Sequence, residues 1–425
     1  MKIVVLGLWH LGCVTAACCA KFGEVIGLDF DSRTVEKLRS GTPPVFEPGL
    51  EDLIHNGLAS GRLSFSSEPA VALKGADLLW VAYDTPVDED DNADMTPVLD
   101  GIDRCLPHLE ENTKLLISSQ IPAGTCRSLE EKYPGKRFAY SPENLRLGNA
   151  IEIFLKPERI ILGTRSQADA DGLLGLFRNF SDNIISVTTE SAEVIKHAIN
   201  SFLAVSIAFM NEVSRVCEKV GADASEVERG IKSEARIGPK AYLSPGGPFA
   251  GGTLARDVVT LVRLAEEFGE NLILLRAIKA SNDQHKEWAI EKLREELGTL
   301  DGKRVAILGL TYKPGTDTLR RSLAIEICRM LQQEGVLLTV FDPVVSAMPD
   351  DLAQIPLLRS VSAAVAGGDG VVIATEWPEF LDSDWEENLK SMRHRIVVDA
   401  NGFLRRNLPE VPGLRYRSVG RLLNV

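Results

Sequence analysis

The sequence predicts an α/β protein: two doubly wound parallel-sheet domains joined by a central helical domain with a long helix. Three observations carry this. The chain opens on an apolar run, Lys2–Leu6, followed by Gly7-Leu8-Trp9-His10-Leu11-Gly12, a helical stretch and a second apolar run that ends in Asp29. From Glu190 the apolar spacing turns helical and stays so to about residue 298. From Leu300 strand-like runs and loops alternate again. The expected domains are therefore 1–188, 189–298 and 299–425, and 425 residues suffice for three cores.

In the first domain, strand, turn, helix, strand and acid follow one another in the order a dinucleotide-binding unit requires. Gly7 makes the tight turn, Gly12 permits close packing of the helix, and Asp29 suits a ribose hydroxyl, favouring NAD over NADP. The middle glycine is replaced by Trp9, so its ring must turn outward or alter how the cofactor lies. Residues 1–20 have the apolarity of a signal peptide, but His10 interrupts them and a second strand follows directly, which favours a first strand and helix. Further strands are expected at 77–82, 114–118 and 137–140. Ligands of such sheets lie beyond the carboxyl ends of the strands. Those ends carry Asp84-Thr85-Pro86, Ser118-Ser119-Gln120-Ile121-Pro122 and Ser141-Pro142-Glu143.

A net charge of −13, from 47 basic and 60 acidic residues without a long basic run, argues against a nucleic-acid partner. Seven cysteines with no C-x-x-C spacing suit reduced thiols in a cytoplasmic protein, and no metal-ligand set stands out. No apolar run approaches the ~20 residues of a membrane span; residues 202–210 come nearest.

The stretch Pro248-Phe249-Ala250-Gly251-Gly252-Thr253-Leu254-Ala255-Arg256-Asp257 brings a glycine pair, which admits close backbone approach, to a helix start that Thr253 is placed to cap. This stretch resembles the Phe-Gly-Gly-Ser-Cys-Phe-Pro-Lys-Asp loop of the UDP-glucose/GDP-mannose dehydrogenase family. On that pattern Phe249 and Asp257 match, Arg256 replaces lysine, and Thr253 stands at the catalytic cysteine. Glu47-Pro48-Gly49-Leu50, Thr85-Pro86, Ile121-Pro122-Ala123-Gly124-Thr125 and Pro142-Glu143-Asn144-Leu145-Arg146 match further family landmarks in order. Gln120 replaces a threonine beside the cofactor, and Leu147 replaces a second glutamate that helps the family's hydrolytic step.

Glu193, Lys196 and Asn200 recur at helical spacing, with Lys196 and Asn200 on one face. Periodicity alone makes them a solvated stripe. The resemblance instead implies that Lys196 and Asn200 stabilise oxygen charge at the reacting carbon. It also implies that Arg236 reaches the nucleotide sugar of the neighbouring subunit, hence a homodimer through the central helical domain, and that Tyr242 lies along the substrate. In the last domain Lys313, in a loop after a glycine-ended strand, supplies a point charge for phosphate. There the family binds UDP, and its Asp-Gly-Arg signature appears here as Asp399-Ala400-Asn401.

The resemblance covers the whole chain and implies an NAD-dependent enzyme acting on a nucleotide-diphosphate sugar. Its implied cofactor contacts are Gly7, Leu8, Trp9, His10, Leu11, Gly12, Asp29, Thr85, Pro86, Gln120 and Arg320. Its catalytic set is Lys196, Asn200, Asp257, Glu143 and Thr253, with Gly251, Arg236, Tyr242 and Lys313 added for substrate. Relatives oxidise a hexose C6 alcohol twice, through a cysteine thiohemiacetal. A threonine hydroxyl is a far weaker nucleophile than a thiol, and a carboxylate of pKa ~4 is poorly matched to activate it. Three readings follow: an oxidoreductase that stops at a carbonyl or runs a redox-neutral change, a conventional twofold dehydrogenase, or a non-catalytic sugar-nucleotide binder.

Overall fold

The computed structural model describes all residues except Val87, 89–92, Gly251 and Val425. The chain packs as two compact units, Met1–Ile199 and Asn200–Val425.

The first unit holds an eight-stranded sheet. Its elements are β1 (Lys2–Leu6), α1 (His10–Cys19), β2 (Glu24–Leu28), β3 (Leu63–Ser66), β4 (Leu78–Val81), β5 (Lys114–Ile117), β6 (Phe138–Tyr140), α2 (Ala150–Leu155), β7 (Ile160–Gly163) and β8 (Ile184–Val187). The strand order is β3-β2-β1-β4-β5-β6-β7-β8, so the first six reproduce a doubly wound nucleotide-binding sheet. All pairs are parallel except β6 with β7. The expected doubly wound parallel sheet is present apart from that single antiparallel step, and β3, β7 and β8 were not anticipated. Residues 3–6 of β1 and all of β4 are buried, because helices cover both faces; hence their unbroken apolar runs. Helix α1 is buried from Leu11 to Cys19, and its Ala16, Ala17, Cys18 and Cys19 are small enough for close packing.

Helix α3 (Thr189–Val220) passes through the boundary between the units. It is the one helix among the described residues long and apolar enough to cross a membrane, where no such run was expected; half of its apolar window is buried in the protein.

The second unit continues with a helix at Ala224–Ser233, then α4 (Thr253–Glu267), α5 (Ile273–Lys286) and α6 (Trp288–Leu297). A six-stranded sheet follows, built from β9 (Arg304–Leu308), β10 (Leu337–Phe341), β11 (Gly370–Ile373), β12 (Ile396–Asp399), β13 (Arg415–Ser418) and β14 (Arg421–Asn424). Its order is β10-β9-β11-β12-β13-β14, parallel except for the closing β13–β14 hairpin. The central helices from Asn200 onward and this sheet fall in the same compact unit.

Glu218, buried on α3, joins the helical part to the sheet. Its carboxylate accepts from Trp288 Nε1 (2.9 Å) and the Gly420 amide (2.9 Å) and pairs with Lys292 (2.8 Å). Removing it leaves two buried donors unpaired and Lys292 with the Glu295 carboxylate (2.8 Å) alone. Glu218→Ala is expected to cost about 2–5 kcal/mol, measured as an earlier unfolding midpoint in urea followed by tryptophan fluorescence.

Candidate functional site

The fingerprint turn is built as the sequence suggests. Gly7 has φ +91° and its amide donates to Leu28 O (2.9 Å), closing the step from β1 toward α1. A Cβ at Gly12 would lie 1.6 Å from Gly7 O, so only glycine lets α1 approach the turn. At the end of β2, Asp29 accepts from the amides of Leu8 (2.8 Å) and Asp31 (2.9 Å) and stays half-exposed. Trp9 is 54% exposed; of the two alternatives its ring takes the outward one. The cradle therefore fits a dinucleotide: a glycine turn, a helix N-terminus and an acid at the second strand's end. His10 does not face solvent freely. Its Nε2 lies 2.9 Å from Glu47, whose buried carboxylate also accepts the amides of Gly148 and Ala150 (both 2.8 Å) and so caps α2.

The loop carrying Gln120 is held from α3. Glu193 accepts the amides of Gly124 (2.6 Å) and Cys126 (2.9 Å), and His197 Nε2 lies 2.9 Å from Ile121 O. Thr85 Oγ1 donates to Gln120 O (2.8 Å), fixing the ends of β4 and β5 together, while Pro86 is exposed. Lys196, also buried, donates to Glu143 O (2.6 Å) and lies 3.5 Å from Glu143 Oε1; Glu143 in turn accepts from the Leu145 amide (2.8 Å). Glu193 and Lys196 are thus buried and not part of a solvated stripe.

In the second unit, Asn200 donates through Nδ2 to Asp257, and both are buried, Asp257 completely. Helix α4 departs from expectation at its start. Gly252, not Thr253, is the N-cap, with φ +114° and ψ −130°, a backbone shape that demands glycine. Thr253 is the first helical residue and is exposed, so one turn separates it from Asp257 without their sharing surroundings. Gly251 lies outside the described residues. The preceding segment is pinned from four sides. Gly246 N and Gly247 O bond Asn211 (3.2 and 3.3 Å), His285 Nε2 meets Gly246 O (2.8 Å), Asn401 accepts from Gly247 N (2.6 Å), and Asn282 bonds both N and O of Phe249 (2.9 and 2.8 Å). Asn401, where the Asp-Gly-Arg arginine was expected, latches this loop. Composition gave no signal of the Asn282 and His285 latches.

The second sheet repeats the turn of the first with a different acid. Gly309 has φ +82° and donates to Phe341 O (2.8 Å). Asp342, at the end of β10, is buried and fully engaged by Leu310, Thr311, Val344, Val345 and Trp377 donors. No carboxylate edge is left there for a ribose. Beside the turn a cavity of about 360 Å³ is lined by Pro248, Tyr312, Lys313, Glu376, Ala400 and Asn401. Burial pushes the Glu376 carboxyl up. Arg321 takes φ +60°, unusual for an arginine, while Arg320 is exposed. Arg236 is exposed beside Glu234 (2.9 Å), and Tyr242 is exposed too. Among the described residues no group of three or more His, Cys, Asp or Glu side chains is placed to hold a metal.

Family models match in three consecutive pieces: the NAD binding domain over residues 1–181, the central domain over 190–284 and the UDP binding domain over 306–406 of the UDP-glucose/GDP-mannose dehydrogenase family. The chain belongs to that family. It is 34% identical over 444 residues to a UDP-glucose 6-dehydrogenase of Pseudomonas aeruginosa, covering 99% of this chain and 98% of that one. A UDP-glucose 6-dehydrogenase of Bacillus subtilis is 31% identical over 432 residues, covering 99% and 93%. Among solved structures, a UDP-glucose dehydrogenase from Pyrobaculum islandicum superposes with TM-score 0.84 at 30% identity, covering 99% and 98%. A UDP-D-ManNAc dehydrogenase from Pyrococcus horikoshii gives 0.84 at 28%, covering 99% of each. As a member of the UDP-glucose/GDP-mannose dehydrogenase family, the protein is an NAD-dependent nucleotide-sugar oxidoreductase, and the cradle at Gly7 to Asp29 lies in its NAD binding domain.

The latches make a direct prediction. Asn282→Ala removes both bonds to Phe249 and is expected to speed amide hydrogen exchange at 246–250 by tenfold or more, while exchange in β9 to β12 is unchanged.

Proposed function

We propose that the protein oxidises the C6 alcohol of a UDP-hexose and stops at the carbonyl, or returns the hydride in a redox-neutral change, rather than forming an acid through a thioester. What supports this is the fate of sulfur. On the loop resemblance Thr253 stands where the family has its cysteine, and all seven cysteines of the chain are free and buried. Burial pushes the thiols of Cys18, Cys105 and Cys328 up to about 12. Burial also raises Cys13, Cys19, Cys126 and Cys217. A thiol is nucleophilic only as its thiolate, so none of these substitutes for the missing one.

NAD, when bound, takes the hydride. Gly7 to Gly12, Asp29, Thr85, Pro86, Gln120 and Arg320 are the residues proposed to hold it. Lys196 and Asn200 are proposed to stabilise charge on the reacting oxygen. Lys196 is oriented by Glu143, and Asn200 by Asp257. Complete burial of Asp257 suits an orienting role. Glu143 remains half-exposed, as a proton acceptor must be. Thr253, also exposed, and Gly251 would contact the sugar, and Lys313 the diphosphate. A second reading, full oxidation to the uronic acid, is favoured by relatives that are UDP-glucose 6-dehydrogenases. It requires the aldehyde to be oxidised as its hydrate.

The central part is proposed to dimerise. On α3, Phe202, Phe209 and Val216 stand at seven-residue intervals and are 69%, 48% and 61% exposed. Seven residues are nearly two helical turns, so the three form one apolar stripe. A second copy of the chain would cover it, bringing Arg236 to the neighbouring subunit's sugar nucleotide.

Thr253→Cys should create uronic acid formation with UDP-glucose and NAD, detected by mass spectrometry of products; a variant that binds the sugar nucleotide but makes no acid would show that nucleophile loss is not the decisive change. Phe209→Glu should shift the mass measured by light scattering from dimer to monomer.

A further inference from the structure

The N-terminus of α1 carries one carboxylate more than a dinucleotide cradle requires. In such cradles the free amides of the helix's first turn receive the cofactor's diphosphate. Leu11 is the second residue of α1, and its amide is directed at Asp84 Oδ2, 3.2 Å away. Asp84 comes from the loop after β4, the strand paired beside β1, and is itself exposed. Asp29 takes the Leu8 amide on the same turn. The field of the two acids is felt nearby: after burial, Asp29 and then Asp84 push the Cys13 thiol up. Trp9 further replaces the glycine that lets backbone and diphosphate meet.

We propose that Asp84 is a built-in competitor for the dinucleotide's diphosphate, an affinity-setting residue that holds the Leu11 amide until the cofactor displaces it. Two anions cannot share one donor at hydrogen-bond distance without repulsion, which is strongest where solvent is excluded. Cofactor binding therefore includes the release of Asp84 into solvent, and the exposed position of its side chain leaves room for that release. The consequence is weak retention of NAD and ready release of NADH. The inference rests on this turn being the NAD cradle.

Isothermal titration of NADH into the intact protein tests it without turnover. Asp84→Asn keeps the shape and removes the charge; Asp84→Gly removes both. Each is expected to bind NADH at least tenfold more tightly than the unaltered protein, whereas Asp29→Ala binds more weakly. Unchanged or weakened binding in either Asp84 variant overturns the proposal and would make Asp84 a spectator or a cofactor ligand. Absence of NADH binding in every form would overturn it together with the reading of the cradle itself.

Discussion

The structure depends on a helix that is polar where it is buried. Along α3 the residues shielded from water include Glu193, Lys196, Asn200, Asn211, Ser214 and Glu218, while Phe202, Phe209 and Val216 face outward. An ordinary surface helix has the reverse arrangement. A buried polar group costs free energy unless it is hydrogen-bonded, and all of these but Ser214, which turns back to Met210 O within the helix, are satisfied by backbone or a polar or charged partner that α3 thereby holds. Glu193 holds the loop after β5, Lys196 the Glu143 backbone, Asn200 the Asp257 carboxylate, Asn211 the Gly246–Gly247 backbone, and Glu218 the hairpin and α6. Within each unit the helix thus fastens loops as well as packing: up to His197 those of the first unit, from Asn200 those of the second.

The two sheets show how one backbone device serves two purposes. Both begin with a strand, a glycine of positive φ whose amide bonds the next strand's end, and an acid following that strand. Asp29 keeps part of its carboxylate open, whereas Asp342 is buried under five donors. The first stays partly exposed; the second only braces its own loop. The difference lies in what surrounds the acid, which the sequence motif alone does not encode.

Much of this was legible in advance. Gly7, Gly12 and Asp29 stand in a fingerprint whose geometry leaves few alternatives, and the apolar runs of β1, β4 and β5 mark buried strands. Strands β3, β7 and β8 were missed because they are four residues each with weak alternation, and β13 and β14 because no helical crossover announces the closing hairpin. Thr253 was misplaced by one residue because threonine is a good cap, whereas the backbone at Gly252 takes a shape open only to glycine. Helical spacing alone put Lys196 and Asn200 on a solvated face. The partners that bury them, Glu143 and Asp257, lie 53 and 57 residues away, beyond the reach of local pattern. The same holds for Asn401, which is separated by 154 residues from the Gly247 amide it latches.

Retained residues for orienting an oxygen and no reactive sulfur together define the account. Its most direct test is the stoichiometry of NADH against UDP-glucose consumed, with the product identified by mass spectrometry. The account predicts at most one NADH per sugar and a carbonyl or isomerised product. Two NADH per sugar with UDP-glucuronate as product would contradict it.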